Sequence, residues 1–174
     1  MRLTLVLGLS ALLAATAAAP AYAQDGAPAC TAPVAPEGIL APWSTPGQIV
    51  AATNGAQVNA ATLAIGQAAR ISLAPTPDVH YVIQPEKPGG SVSHGGLVAF
   101  TAPADGAYRI ALGSPAWIDV IGDGRPALST AHGHGPACSG IRKMVDFSLT
   151  KGSYVLQISA NGDPQTAVLI VRLP

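Results

Sequence analysis

The sequence predicts an all-β protein: an antiparallel β-sandwich or jelly roll, preceded by an extended, proline-rich N-terminal arm. Two observations carry this expectation. From Gln48 to the C-terminus, short apolar runs recur about every ten residues between clusters of Gly, Pro, Asn and Asp, which is the rhythm of a sandwich. No stretch of comparable length keeps the apolar period of an amphipathic helix.

Residues 1–23 read as a signal peptide. Arg2 is followed by the apolar run Leu3–Leu13, and the segment closes on Ala21-Tyr22-Ala23, the small-x-small form of a cleavage site. The apolar run is too short to span a bilayer, so no transmembrane anchor is expected after cleavage. A periplasmic or secreted location follows. Residues 24–47 form the arm, with prolines at 28, 33, 36, 42 and 46 that favour extended backbone. Ile39, Leu40 and Trp43 are its apolar anchors, and Trp43 fits either packing on an apolar face or lining a groove.

Residues 48–174 form the sandwich domain. Gln48–Ala52 is the first candidate strand, ended by the tight-turn pair Asn54-Gly55. Gly55–Ala69 is the one helical candidate, weakened by Thr62, Ile65 and Gly66. Ala69–Leu73 alternates until Pro75, and Val79–Gln84 places Val79, Tyr81 and Ile83 on one face. Pro85–Gly96 is a loop by its glycines and prolines. Gly96–Thr101, Ala107–Leu112, Ala116–Ile121, Met144–Leu149 and Ser153–Ser159 follow as strands. The last run, Thr166–Arg172, is apolar on both faces and reads as a strand covered on both sides, either central in the sandwich or an edge that pairs with another copy.

Charged residues make up only 10% of the chain and its formal charge is zero. With no basic patch beyond Arg142-Lys143, nothing points to nucleic acid or an anionic membrane as partner. Two cysteines in an exported chain predict one disulfide, Cys30 to Cys138. It would staple the arm to the segment Ser129–Asp146, which also holds His132, His134, Arg142 and Lys143.

That segment is the richest in chemistry. Histidines at i and i+2 on an extended strand share a face, so His132 and His134 could ligate one divalent metal (Fe, Cu or Zn), with His94 or His80 completing a set. The competing reading is a glycine-rich turn with two exposed imidazoles. Arg142 and Lys143 could hold an anion, or stand as a solvated pair at a strand entry. Asp119 and Asp123 could bind calcium, although Gly-Asp-Gly also makes a plain turn. Trp117, Trp43 and Tyr108 could form an aromatic platform, or pack in the core.

Two resemblances extend this reading. The order Tyr108–Leu112, Trp117–Ile121 and Phe147–Ile158, within Gly96–Leu173, resembles the bacterial pre-peptidase C-terminal domain, a secreted β-sandwich module often appended to proteases. That likeness implies attachment to a surface or polymer. Pro85–Gly96 and Ala131–Phe147 resemble a group of short exported bacterial proteins, some named homogentisate 1,2-dioxygenase. The name implies a cupin iron site with His and Glu ligands. The position four beyond His134 is Cys138, and no acid follows until Asp146.

The expected function is therefore an exported, non-catalytic binding or accessory protein of the cell envelope. Its ligand would be a small molecule or an envelope component, with a metal on His132, His134 and His94 as the candidate cofactor. The alternative is a small non-haem-iron dioxygenase of jelly-roll fold.

Overall fold

Alternating strands give each sheet one apolar row, and two such rows bury each other across a sandwich. The computed structural model describes residues 30–174. The expected signal peptide and the first residues of the arm lie outside the described residues. Eleven strands form, in chain order: β1 (Gly47–Val50), β2 (Ala68–Ser72), β3 (Ala74–Pro75), β4 (His94–Ala102), β5 (Gly106–Leu112), β6 (Trp117–Gly122), β7 (Arg125–Pro126), β8 (Ser129–Gly133), β9 (Lys143–Leu149), β10 (Gly152–Asn161) and β11 (Gln165–Arg172). One sheet runs β1-β2-β11-β5-β9-β8 and the other β3-β4-β10-β6-β7. Neighbours are antiparallel except β1 and β2, which run parallel.

The main core lies between the sheets. Ile71, Tyr108, Ile110, Val168 and Ile170 of the first sheet meet Val98, Phe100, Leu156 and Ile158 of the second. Tyr108 is fully buried, and its hydroxyl donates to Ala104 O at 2.6 Å, so the core holds no orphaned phenol there.

A second apolar layer covers the outer face of the first sheet. Leu169 and Val171 alternate with the inward Val168 and Ile170, and they pack with Ala111 against Leu40, Ile141 and Trp43. This accounts for the doubly apolar final run, since β11 is central in its sheet and covered on both sides. The covering segment is the chain after Cys30. Gly38–Ser44 coils into a 3-10 turn where the prolines suggested extended backbone. The disulfide Cys30–Cys138 ties the segment down, with Cα atoms 5.4 Å apart. Val34 N–H donates to Cys138 O at 2.9 Å, and Trp43 Nε1 donates to Ser139 O at 3.0 Å. Trp43 thus packs on the outer face of the sheet and also lines a groove there with Arg70 and Thr166.

Two sequence expectations change. Gly55–Ala69 is not a helix; only Gly55–Ala60 coils, as a 3-10 turn. Beyond it the backbone bonds to the edge of β4, through Ala99 N–H to Ala61 O and Leu63 N–H to Ala99 O, and Gly66 takes φ +80°. Val79–Gln84 is not a strand either, despite its alternation. The buried Gln157 side chain replaces the ladder: Oε1 accepts from Ile83 N–H at 3.1 Å, and Nε2 donates to Ile83 O at 3.0 Å. One side-chain amide can pair one residue, so no strand propagates. Among the described residues no helix is long and apolar enough to cross a membrane.

Candidate functional site

The β4 edge of the second sheet is covered, but the opposite edge is nearly bare. There β7 pairs with β6 only at Ile121–Pro126 and Gly122–Arg125, with one more bond from Ala127 N–H to Val120 O at 2.7 Å. Upstream, around Ala116 and Ile118, the β6 edge meets no strand. The first sheet ends at β8, whose five residues are all exposed. Between these two edges lies a cleft of about 840 Å³.

Register decides what enters it. His132 pairs with Val145 and Ser129 with Phe147, across a bulge at the intervening residues. Paired residues share a face, so Ser129 and His132 lie on the same side as core residues Val145 and Phe147. Ile118, Val145 and Phe147 form an apolar floor, and Trp117 and Asp119 form one wall. His132, His134, Arg142, Lys143 and Glu86 all line the cleft. The sequence-singled segment therefore does converge on one place. The loop beyond β8 returns at Cys138, and a hydrogen bond of 3.0 Å between His134 Nδ1 and Arg142 O holds its start.

Lys143 is the most constrained cation. Its Nζ donates to Ala116 O at 2.8 Å, satisfying a carbonyl at the bare end of β6, and sits 5.6 Å from the Trp117 ring centroid. Lys87 Nζ lies 5.0 Å from the same ring. Burial pushes the Lys143 pKa down, the neighbouring Lys87 charge adds to this, and Asp119 opposes it. Asp119 moves the other way. Burial raises its carboxyl above the ordinary range, against the lowering effect of the Trp117 N–H, which donates to Oδ1 at 3.1 Å. Its Oδ2 is buried and has no hydrogen-bond partner among the protein groups. The one ion pair at contact distance among the described residues is elsewhere, between Arg109 and Asp146.

His94 stands apart. It opens β4, paired with Pro75 and Asn161, and β10 separates β4 from β6. Its Nδ1 is buried without a partner. His80 is exposed and bridges to Asn54. Among the described residues no group of three His, Cys, Asp or Glu side chains is placed to hold a metal, and Cys138 is committed to its disulfide. The donors present do not fit the three-histidine centre expected on His94, His132 and His134, because a sheet's width separates the first from the others. Asp123 sits in a turn with φ 49°, away from the Asp119 wall. Tyr108 is in the core and Trp43 lies on the outer face of the first sheet, so neither joins Trp117 in a platform.

Sequence reasoning missed Glu86, Lys87 and the floor residues Ile118, Val145 and Phe147. Nothing local distinguishes these, since their roles depend on which edges face each other. No protein-family model matches the chain, and no curated protein matches it.

Proposed function

We propose that this is an exported, non-catalytic binding or accessory protein of the cell envelope, whose ligand enters the cleft between β6 and β8–β9. The carrying observation is the cleft's composition: an apolar floor, with partly buried charged groups on Lys143 and Asp119 that make no contact ion pair. Held partly desolvated, such groups cost stability, and their clustering in a concave site favours a binding role. Export is supported by the signal-like residues 1–23 and by the Cys30–Cys138 disulfide. The sequence likeness of Gly96–Leu173 to the pre-peptidase C-terminal domain fits an accessory role.

The test uses the exported protein and a Ser129→Trp variant, whose indole would occupy the cleft from the β8 side. Each is incubated with a solvent extract of cell envelopes, washed and denatured, and the released small molecules are identified by mass spectrometry. Molecules enriched on the wild type and missing from the variant are expected. Identical or empty sets on both would overturn the cleft reading. Metal content measured on the same samples addresses the dioxygenase alternative: stoichiometric iron lost on His132→Ala would favour it.

A further inference from the structure

Resting on that reading of the cleft, we propose that its ligand is an amphipathic organic carboxylate, with its anionic head at Lys143 and Arg142 and its apolar body on Ile118, Val145 and Phe147.

The head group follows from the unused valences of Lys143. An ammonium has three N–H donors, and one is given to Ala116 O. No other protein acceptor takes the remaining two among the described residues, and no carboxylate lies within contact distance. Lys87, beside the same indole, adds positive charge rather than cancelling it. Arg142 lines the same cleft and is exposed. A carboxylate placed between them supplies the missing counter-charge in charge-assisted hydrogen bonds. A cationic head at the same position would face Arg142 and Lys143 and be repelled.

The body follows from the floor. Val145 and Phe147 are core residues at the base of the cleft, and Leu128 stands at its mouth 85% exposed, an apolar side chain left in water. A sugar or other polyol would press hydroxyls against groups that cannot bond them, at a cost in desolvation. An alkyl or aryl body covers both the floor and Leu128. Asp119 and Glu86 also line the cleft. Asp119 shares the Trp117 ring with Lys143 but makes no contact ion pair with it, so the head is placed between Lys143 and Arg142.

The experiment is calorimetric titration of octanoate, octanol, octylamine and acetate, each below its micelle concentration, into the wild type, Lys143→Met, Arg142→Gln and Ser129→Trp. Octanoate is expected to bind the wild type at least about tenfold more tightly than octanol or octylamine, as one or two charge-assisted contacts require. Acetate is expected not to bind. Lys143→Met, and to a lesser degree Arg142→Gln, should weaken octanoate about tenfold and leave octanol unchanged. Ser129→Trp should abolish binding of every chain. Equal binding of octanoate, octanol and octylamine, lost in Ser129→Trp, overturns the carboxylate and leaves the cleft reading standing. Octanoate binding that survives Lys143→Met and Arg142→Gln, or no binding of any chain to the wild type, also overturns it. The envelope-extract comparison decides the cleft reading separately.

Discussion

Removing the disulfide by Cys30→Ser with Cys138→Ser should cost the domain a large part of its stability. The bridge closes a loop of 108 residues. In the chain-entropy model, a loop of that length restricts the unfolded chain by about 4–5 kcal/mol at room temperature. For a domain of this size that corresponds to a fall in Tm of roughly 10–20 °C. The native arm should stay docked in the variant, because Leu40 and Trp43 still cover Leu169 and Val171, and Trp43 still reaches Ser139 O. The assay is thermal unfolding of wild type and variant, with the wild type also unfolded under reductant. Both routes should give the same drop, and in a Trp117→Phe background the variant should keep the wild-type Trp43 emission maximum below its Tm. A drop under about 3 °C would refute the reasoning, since the arm's native contacts alone would then be holding the ends together. A large drop with Trp43 already exposed at room temperature would place the effect in the native state instead.

Three further outcomes follow from the packing and the charges. Phe100→Ala should cost about 3–5 kcal/mol, because Phe100 is 1% exposed between the sheets and stacks on Tyr154 at 5.5 Å, and denaturant unfolding reads this directly. Gln157→Leu should cost about 1–3 kcal/mol by leaving both backbone groups of Ile83 unpaired, and hydrogen exchange should show faster opening confined to Val79–Glu86. Asp119→Asn should raise Tm at neutral pH. Burial lifts the folded carboxyl above its ordinary value of 3.8, so ionisation favours the unfolded chain, and stability falls as pH climbs through the window from that value to the folded one. The variant's advantage should therefore vanish below the ordinary value. A variant less stable than wild type at neutral pH would contradict this, since Asn still offers Trp117 an oxygen.

Much of the fold was readable because the strands alternate. Ala107–Leu112 and Met144–Leu149 each put every second side chain into the core, and β11 read as covered on both sides because it is apolar on both faces, while its central place came from the topology. The failures are equally physical. Val79–Gln84 alternates as well as any strand, but it pairs through one isolated bridge, His80 with Asn54, and Ile83 meets the Gln157 side chain. β8 has no alternation at all, since its five residues are exposed, and β3 and β7 are too short to carry a pattern. At the site, His132, His134, Arg142 and Lys143 were visible because one segment holds them. Trp117, Asp119 and Lys87 join them only through the facing of two sheet edges. The same topology withholds His94, which local spacing could not foresee.

The central claim is that the cleft between β6 and β8–β9 is where ligand binds. The most direct measurement is a nuclear magnetic resonance titration with octanoate, following backbone amides, indole N–H groups and the Lys143 ammonium. Binding in the cleft predicts shifts at Ile118, the Trp117 indole, His132, Lys143 and Val145, with the Trp43 indole unmoved. Shifts centred on Trp43, Arg70 and Thr166, which line a separate groove, with Trp117 and Lys143 unmoved, would contradict it.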